Sequence, residues 1–269
     1  MDNISEKLSI IVFAIRYYPI FLIRRLTHKY KQMQFNLIIV DMDGTITKNH
    51  TFKEGLKKCY EFKGEKIYED IILNSKNTVK RRLSPDNMRM KTGLTALIHG
   101  GFRRKFENEL IDSAFKNLNS NLVGLLDKVN KKKEVIIISR SSETIAKNIA
   151  YRLGFSAGYG SIMEYAKNGA LIGALRLVSD KSDDAEFLLA KETLAKYHME
   201  KKGKTFSLEK TAYIGNDILD LDLMSKVGLT ILVKNEKIEF ADKIAHFFKL
   251  YDLDLKKDYN EIKRLILDK

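Results

Sequence analysis

The sequence predicts an α/β protein built on a parallel, doubly wound sheet. Four short apolar runs, each flanked by polar residues, are typical of buried strands. They are Leu37 to Val40, Val135 to Ile138, Thr211 to Ile214 and Leu229 to Val233. Helical patterning lies between the later runs, at Ser142 to Leu153, Ala185 to Met199 and Leu219 to Val227. Strand alternating with helix favours parallel strands with helices packed on the sheet.

An apolar and basic segment, residues 1–36, precedes the first strand. As a helix, the segment from Leu8 to Leu26 would carry apolar side chains on nearly every side. Arg16 and Pro19 interrupt it, and two arginines lie at its end. A membrane span needs about 20 apolar residues, and a charge at the bilayer centre costs about 3 kcal/mol, so a span is not expected. A signal peptide is not expected either, because the basic residues follow the apolar run. Two interpretations remain: a helix that contacts a membrane surface through residues 8–31, or a helix packed against the body or a second subunit.

Residues 48–133 interrupt the alternation of strand and helix. They show helical patterning without a clear buried strand, which predicts an inserted helical domain. The core is then formed by residues 37–47 and 134–269. Within the core, the turn signal Asn168-Gly169 stands between alternating runs and predicts a hairpin over residues 159–178.

The composition is that of a globular protein from a reducing compartment. The chain has 269 residues, of which 44% are hydrophobic, and this excludes a disordered chain. The single cysteine, Cys59, excludes a disulfide framework and a Cys-rich zinc site, and it favours a cytoplasmic location. A net charge of +13 attracts anions, but no nucleic-acid motif is present, so we expect no nucleic-acid partner. The sequence does not indicate the oligomeric state.

The clearest signal for chemistry follows the first strand, where Asp41 and Asp43 come before Gly44. In open parallel sheets, ligands bind beyond the carboxyl ends of the strands. Two carboxylates this close need a shared proton or cation. Mg²⁺ accepts one or two carboxylates together with phosphate oxygens. The pattern therefore predicts a magnesium and phosphate site.

Polar residues follow two further strands at the same predicted edge. Ser139 ends the second strand, where its hydroxyl and the next backbone N–H groups can hold a phosphate at the start of a helix. The third strand leads into oxygen ligands for a metal site, at Asn216, Asp217 and Asp220. Four lysines between these strands are candidates for a phosphate-binding cation: Lys181, Lys191, Lys204 and Lys210.

The order of these pieces resembles the haloacid dehalogenase-like superfamily of aspartate-nucleophile phosphatases. Asp41 to Thr47 is similar to its first motif, Ser139 to its second, a lysine to its third, and Gly215 to Asp220 to its fourth. A segment similar to Glu164 to Leu175 extends the resemblance to the phosphoserine-phosphatase-like branch. The resemblance implies a Rossmann-like core, with residues 48–133 as an inserted α-helical cap domain.

The same resemblance implies a role for each site residue. Asp41 is expected as the nucleophile and Asp43 as the general acid and base. Lys191 is the favoured phosphate-binding and catalytic lysine, and Lys181 is the next candidate. The other phosphate contacts are expected from Thr45, Ser139 and Arg140. The Mg²⁺ site is expected to include Asp41, Asp43 through its carbonyl, Asn216, Asp217 and Asp220.

The function that follows from the resemblance is a magnesium-dependent phosphomonoesterase. It forms an aspartyl-phosphate and acts on a small phosphorylated metabolite or headgroup. The alternatives are a phosphotransferase or phosphomutase of the same superfamily, and a membrane-associated, non-catalytic binding protein.

Two departures from the family pattern bear on metal and substrate. Asn216 stands where an aspartate is common, so weaker metal binding is expected. His50 stands where phosphoserine phosphatases carry a glutamate, so phosphoserine is not the leading substrate. Candidates for binding a second anionic group are Arg81, Arg82, Arg103 and Arg104.

Overall fold

The protein is described here by a computed structural model. It describes residues 2–60, 85–179, 188–216, 220–234 and 247–267. Within these ranges the chain folds around one eight-stranded sheet with the order β5-β4-β3-β2-β1-β6-β7-β8. The strands are β1 Leu37–Val40, β2 Glu134–Ser142, β3 Ala157–Tyr165, β4 Leu171–Ser179, β5 Leu188–Ala190, β6 Thr211–Gly215, β7 Leu229–Leu232 and β8 Leu253–Asp254.

The centre of the sheet lies at β1, which is parallel to both of its neighbours. Val40 pairs with Ile137 of β2 on one side and with Ile214 of β6 on the other. All four residues of β1 are fully buried. A four-residue strand that is apolar throughout is expected where both faces of a sheet are covered. The carboxyl ends of β1, β2 and β6 therefore meet at one edge.

Helices cover both faces of this sheet. Nine α-helices are described: α1 Asp2–Thr27, α2 Thr51–Tyr60, α3 Pro85–His99, α4 Arg104–Lys116, α5 Ser120–Asn130, α6 Glu143–Arg152, α7 Lys191–Lys201, α8 Leu221–Lys226 and α9 Tyr259–Leu267. Ile38 and Val40 point into one apolar cluster, with residues of α2 to α6 and α9. Leu37 and Ile39 point into the other, with residues of α1, α7 and α8. The alternation along β1 thus divides the core into two layers.

The N-terminal helix α1 packs one of its faces on the body. Tyr17 and Phe21 are buried, and the Tyr17 hydroxyl lies 3.3 Å from Asp222 Oδ1. Arg24 donates to the Met224 carbonyl at 2.9 Å and forms an ion pair with Asp252. The opposite face carries exposed apolar side chains. Among the described residues, no helix is long and apolar enough to span a membrane.

The predicted fold class is confirmed, with local differences in the elements. The hairpin is confirmed: β3 and β4 are antiparallel, and Gly169 at the turn has a φ of 79°. The helix expected from residue 185 begins at Lys191, because residues 188–190 pair with β4 as the short strand β5. Because β3 and β4 are antiparallel, the sheet is mixed rather than wholly parallel.

The described parts of residues 48–133 are helical, as the patterning predicts. Their apolar side chains belong to the same cluster as one face of the sheet, for example Leu56 of α2 and Leu110 of α4. Helix α5 also packs on this face, through Leu122 and Leu126. The division of this segment from the core as a separate cap domain stays a prediction.

Candidate active site

A buried lysine joins two aspartates at the carboxyl edge of the sheet. Asp41 directly follows β1, where its backbone N–H donates to the Ile214 carbonyl at 2.8 Å. Lys191 Nζ lies 2.7 Å from Asp41 Oδ1 and 3.1 Å from Asp220 Oδ2. Lys191 is the first residue of α7, and only 2% of its side chain is exposed. Because Lys191 begins α7, its ammonium group lies at the end of β1.

Asp220 is held by three side chains at once. Its Oδ1 forms an ion pair with Arg140 at 2.9 Å, and its Oδ2 accepts from Lys191 and from the Tyr213 hydroxyl. The Tyr213 hydroxyl lies 3.1 Å from Lys191 Nζ. Because both oxygens of Asp220 are engaged, this carboxylate fixes the two cations of the site rather than standing free.

The charges in this cluster shift one another's proton affinities. Burial raises the pKa of Asp41 to about 6; the neighbouring Lys191 opposes this rise, and Asp220 adds to it. Burial also raises the pKa of Tyr213, with a further contribution from Asp220. For Asp220 burial is outweighed by Arg140 and Lys191, so its pKa is lowered. A further positive charge nearby would therefore stabilise the ionised form of Asp41 more than that of Asp220.

Asp43 lies on a tight turn and is held by hydroxyl groups. Gly44 has a φ of 74°, which a glycine adopts without strain. Thr51 donates to Asp43 Oδ1 from its backbone N–H at 3.0 Å and from its hydroxyl at 2.9 Å. Ser141 donates to Asp43 Oδ2. These bonds fix the carboxyl group at the start of α2, next to the end of β2.

A hydrogen bond between Thr45 and Asn216 joins the loops that follow β1 and β6. The Thr45 hydroxyl donates to Asn216 Oδ1 at 2.9 Å, and both side chains are buried. This contact links the turn after β1 to the end of β6. It also orients the amide so that its oxygen faces the turn that carries Asp41 and Asp43.

The sequence predicts that the second strand ends at Ser139, but β2 continues to Ser142, so Ser139 lies within the strand, two residues past the last residue paired with β1, and is buried. Its Oγ accepts a hydrogen bond from the Ser141 backbone N–H at 3.1 Å. The chain then continues to Ser142, whose Oγ accepts from the Thr144 N–H at the start of α6. Gly160 of β3 leaves room for this turn, because a Cβ atom there would lie 2.6 Å from the Ser141 carbonyl oxygen. The close approach of β3 therefore shapes the predicted phosphate-binding turn.

The oxygen atoms at this edge are of the kind that a hard divalent cation prefers. Asp41 supplies a carboxylate and Asn216 an amide oxygen from neighbouring strands, and Mg²⁺ needs few protein ligands beyond these when a phosphate is present. In the part of the chain that is described, no group of three or more His, Cys, Asp or Glu side chains is arranged around a metal position. The donor set fits Mg²⁺ bound jointly by protein and substrate.

The structure gathers most of the predicted site residues at one edge of the sheet. They are Asp41, Asp43, Thr45, Ser139, Arg140, Lys191, Asn216 and Asp220. Asp217 and Lys181 lie outside the described residues, as do Arg81 and Arg82. Lys204 lies elsewhere, because it pairs at 2.5 Å with Glu134 at the opposite end of β2.

Several residues of the site carry no signal in the sequence. Thr51 and Ser141 hold Asp43, and Tyr213 joins Lys191 to Asp220. Each of these contacts joins elements that are distant in the sequence. Serine, threonine and tyrosine also occur at many positions that belong to no site, so their presence alone indicates nothing. Ser141 follows Ser139 closely and Tyr213 lies in the predicted strand Thr211 to Ile214, but neither pattern indicates a role for these side chains.

Comparisons with known proteins agree with this geometry. A sequence profile of the haloacid dehalogenase-like hydrolase family matches residues 38–225. A search of curated protein sequences gave no match. Among solved structures, a phospho-aspartyl intermediate analogue of phosphoserine phosphatase is 18% identical, with a TM-score of 0.58 over 85% of this chain and 97% of that chain.

Two other structures show the same fold. A HAD-family hydrolase from Salmonella enterica subsp. enterica serovar Typhi is 14% identical, with a TM-score of 0.61 over 88% of this chain and 72% of that one. A probable phosphoserine phosphatase from Vibrio cholerae is 15% identical, with a TM-score of 0.58 over 86% of this chain and 64% of that one. At such identities the likeness shows the fold alone. The family profile covers more than half of the chain and contains Asp41, Ser139, Lys191 and Asn216. This chain therefore belongs to the haloacid dehalogenase-like hydrolase family, with the fold of its phosphoserine-phosphatase-like branch.

Proposed function

We propose that the protein is a magnesium-dependent phosphomonoesterase that works through an aspartyl-phosphate on Asp41. The observation that carries the proposal is the contact of Lys191 Nζ with Asp41 Oδ1, 2.7 Å apart in a buried site. A cation beside a nucleophile at the end of a central strand serves the transfer of an anionic phosphoryl group.

In the first step Asp41 attacks the phosphorus atom of a monoester. Lys191 occupies Oδ1, and Oδ2 accepts no hydrogen bond from the described residues, so Oδ2 is the attacking oxygen. A bond forms between Oδ2 and phosphorus while the bond from phosphorus to the alcohol oxygen breaks. Lys191 and Arg140 stabilise the negative charge on the phosphoryl oxygens, since both cations are already fixed by Asp220.

Asp43 transfers the protons of both steps. It donates a proton to the alcohol oxygen as the alcohol leaves, and then accepts one from the water that hydrolyses the aspartyl-phosphate. Acid and base catalysis of this kind contributes about 10²–10⁴ in rate. The bonds from Thr51 and Ser141 hold the carboxyl group in one orientation for both transfers.

Mg²⁺ would be held by Asp41, the Asp43 carbonyl and Asn216, with Asp217 in support. When bound, the ion supplies positive charge to the transferring phosphoryl group. Asn216 brings no negative charge of its own, so the chain relies on Asp41 for the charge that attracts the metal. Weak binding of the metal follows from this donor set.

We propose further that α1 contacts a membrane surface. Its outward face exposes Val12, Ile15, Ile23 and Leu26, with exposed fractions from 53% to 74%. Arg16 lies on this exposed side and Lys29 follows the helix. An apolar face with basic residues beside it suits the interface of an anionic membrane.

The activity is tested by measuring phosphate release with Mg²⁺ from p-nitrophenyl phosphate and from a panel of phosphorylated metabolites and lipid headgroups. We expect turnover by the unsubstituted protein and none by Asp41→Asn, because an amide oxygen cannot form the intermediate. The exposed variant Asp112→Asn is the matched control, since it makes the same change on the surface of α4. Retention of more than a few per cent of activity by Asp41→Asn would remove Asp41 from the role of nucleophile.

A further inference from the structure

Tyr213 lies inside the strand β6, three positions before Asn216, and yet its hydroxyl reaches the active site. Side chains along β6 alternate between the two faces of the sheet, and Tyr213 belongs to the apolar layer with α1, α7 and α8. The residue is fully buried. A tyrosine in the middle of a buried strand ordinarily serves packing alone. Contacts between its hydroxyl and charged side chains therefore indicate a second task.

Gly215 allows the ring of Tyr213 to reach the end of the strand. Residues two positions apart on a strand share a face, so a side chain at position 215 would stand beside the tyrosine. A Cβ atom there would lie 2.5 Å from Tyr213 Cε1 and 2.8 Å from its hydroxyl oxygen. Both distances are shorter than van der Waals contact, so the ring fills the space that a larger residue would need. The ring therefore extends along β6 towards its carboxyl end.

At that end the hydroxyl forms a closed set of hydrogen bonds with Lys191 and Asp220. Its oxygen accepts from Lys191 Nζ at 3.1 Å, and it donates its own proton to Asp220 Oδ2. Lys191 Nζ donates to the same oxygen of Asp220 at 3.1 Å. Each of the three groups contacts the other two, so a displacement of any one of them disturbs two hydrogen bonds.

The ammonium group of Lys191 has three protons, and the described residues offer three acceptors. They are Asp41 Oδ1 at 2.7 Å, Asp220 Oδ2 at 3.1 Å and the Tyr213 hydroxyl at 3.1 Å. Lysine has a flexible four-carbon stem, so one contact alone does not define the position of its charge. Only 2% of the side chain is exposed, so bulk water is a poor substitute for a lost acceptor. The three acceptors together determine where Nζ stands relative to Asp41.

Tyr213 is the uncharged member of these three acceptors. Asp41 is the proposed nucleophile, and Asp220 also forms an ion pair with Arg140. A change of either carboxylate would alter the charge of the site as well as its geometry. The tyrosine hydroxyl can be removed while every charge is kept, so its contribution can be measured separately.

We infer that Tyr213 is a positioning residue for phosphoryl transfer, whose hydroxyl holds Lys191 Nζ in place beside Asp41 Oδ1. This inference rests on the phosphomonoesterase activity proposed above. Tyr213 is fully buried and contacts Lys191 and Asp220, so it acts through the lysine and not on the substrate. Misplacement of a catalytic group by about 1 Å can cost about 10²-fold in rate, so a bond that fixes the ammonium group affects turnover.

The test is Tyr213→Phe, which removes the hydroxyl and keeps the ring. The ring still fills the space over Gly215, and it keeps its contact with Lys191 Nζ, which lies 5.5 Å from the ring centre. We expect kcat for p-nitrophenyl phosphate to fall by about 10- to 100-fold, the range of one hydrogen bond to a charged group. KM should change by less than about threefold, because the charges that attract the phosphate remain. A hydroxyl that serves structure alone would lower Tm and leave kcat of the folded protein unchanged, and that result would overturn the inference.

Tyr17→Phe is the matched control. Tyr17 is buried in the same apolar layer, and its hydroxyl donates to a carboxylate oxygen, Asp222 Oδ1, at 3.3 Å. The variant therefore loses the same kind of hydrogen bond at a carboxylate that has no part in the proposed reaction, and kcat should stay near that of the unsubstituted protein. An equal loss of kcat in Tyr17→Phe and Tyr213→Phe would mean that packing of this layer causes the effect, contrary to the inference.

A double variant shows whether the hydroxyl acts through the lysine. The ammonium group is absent in Lys191→Met, so addition of Tyr213→Phe to that variant should cost no further activity. The quantity to compare is kcat/KM of both single variants and the double variant, at a temperature at which all of them are folded. A further loss of about 10- to 100-fold in the double variant would show that the hydroxyl acts independently of Lys191 and that the inference is wrong.

Failure of the proposed activity is distinguishable from failure of this inference. If the unsubstituted protein hydrolyses no monoester, including p-nitrophenyl phosphate, the proposed activity is wrong. The position of Lys191 is then tested by the binding of inorganic phosphate, measured as a rise in Tm. A rise that is reduced in Tyr213→Phe and kept in Tyr17→Phe supports the inference. Equal rises in all three proteins, or no rise in the unsubstituted protein, overturn it.

Discussion

Asn216 Oδ1 lies 2.9 Å from the Thr45 hydroxyl, which joins the end of β6 to the turn that carries Asp41 and Asp43. The contact holds a neutral oxygen at the place where the family commonly has a carboxylate. Because an aspartate would accept the same hydrogen bond from Thr45, the charge at this position can be changed while the local geometry is kept.

Asn216→Asp should tighten the binding of Mg²⁺. A full charge placed about 4 Å from another contributes up to about 4 kcal/mol at an effective dielectric constant of 20, so the half-saturating Mg²⁺ concentration should fall by tenfold or more. The measurement is phosphate release against Mg²⁺ concentration. Asn168→Asp, at the exposed turn of the hairpin, adds the same charge far from the site and should change nothing. An unchanged Mg²⁺ requirement in Asn216→Asp would mean that Asn216 is not a ligand.

Lys191→Met should remove activity and lower stability together. The change keeps the length of the side chain but leaves Asp41 and Asp220 buried without their shared cation, and breaking such a contact costs about 3–5 kcal/mol. We expect kcat/KM for p-nitrophenyl phosphate to fall by about 10³, and thermal unfolding to begin at lower temperature. Lys196→Met, on the exposed side of the same helix, is the matched control.

Addition of Asp41→Asn to Lys191→Met separates the two effects of the lysine. The double variant removes the charge of Asp41, which loses its cation in Lys191→Met, whereas Asp220 keeps its ion pair with Arg140. Part of the lost stability should therefore return while activity stays absent. The quantities to compare are the free energies of unfolding of both single variants and the double variant. Additive losses in this cycle would show that Lys191 and Asp41 do not stabilise each other.

Asp43→Asn should slow substrates with poor leaving groups most. An alkyl alkoxide needs a proton as it leaves, whereas p-nitrophenolate does not, so the loss should reach about 10²–10⁴ for alkyl phosphates and be smaller for the first step with p-nitrophenyl phosphate. Rapid-mixing measurements of p-nitrophenolate release isolate that first step. Thr51→Val, which removes one hydroxyl donor to Asp43, should show the same ranking with smaller losses. Equal losses for both kinds of substrate would argue against the acid role.

The central strands could be predicted from the sequence because burial on both faces makes them short and uniformly apolar. β1 is found at the predicted residues, and its buried position leaves Asp41 at the edge where ligands bind. The three-residue strand β5 could not be predicted, since its residues fit the helical pattern that follows and only pairing with β4 makes them a strand. Propensity is overridden by tertiary contacts in such short elements.

The site was predictable where it depends on strand ends and not where it depends on packing between layers. Asp41 and Asn216 follow strands directly, and Ser139 lies in β2 just past its pairing with β1, so topology alone brings them together. Glu107 comes from the first turn of a helix with ordinary amphipathic patterning, and only the docking of α4 against the end of β2 brings it to Ser142. No local signal distinguishes such a glutamate from a solvated one.

Glu134→Gln should lower stability at neutral pH and have less effect in acid. Burial raises the pKa of Glu134, but hydrogen bonds from Lys204, Ser156 and His198 outweigh it and lower the pKa to about 2. A carboxyl group whose pKa is lowered by folding stabilises the protein above its unfolded pKa, near 4.5, and loses this contribution as the pH falls toward 2. At pH 7 we expect a loss of about 1 kcal/mol, or about 2–4 °C in Tm.

The measurement is Tm against pH for the unsubstituted protein and Glu134→Gln. The difference in Tm should be constant above about pH 5 and shrink as the carboxyl group is protonated. Glu209→Gln, which removes an exposed partner of Lys29, should leave Tm nearly unchanged. A difference that grows toward acid pH would contradict the assigned direction of the shift.

The outward face of α1 can be tested without removing the helix. Deletion of residues 1–30 would also remove Tyr17 and Phe21 from the core and leave Asp252 without Arg24, so loss of function there would be ambiguous. Substitution of the exposed residues alone keeps these contacts. Phe247, which is 79% exposed, contacts Phe248 edge to face, and Phe248 contacts Tyr18 of α1 in the same way.

Replacement of Val12, Ile15, Ile23 and Leu26 by glutamine should abolish binding to anionic vesicles and leave phosphatase activity on a soluble substrate unchanged. Each apolar side chain that enters the interface contributes about 1.5–3 kcal/mol when fully buried, and the neighbouring basic residues add about 1 kcal/mol each near an anionic surface. Co-sedimentation of the unsubstituted protein with vesicles that contain phosphatidylserine should therefore fall as salt is raised, because the charge contribution is screened.

The control replaces Ile172 and Leu175, which are exposed on β4, and should bind vesicles as the unsubstituted protein does. If the unsubstituted protein ignores vesicles and the fourfold variant instead changes the mass of the protein in solution, the face is covered by a second copy of the chain and not by a membrane.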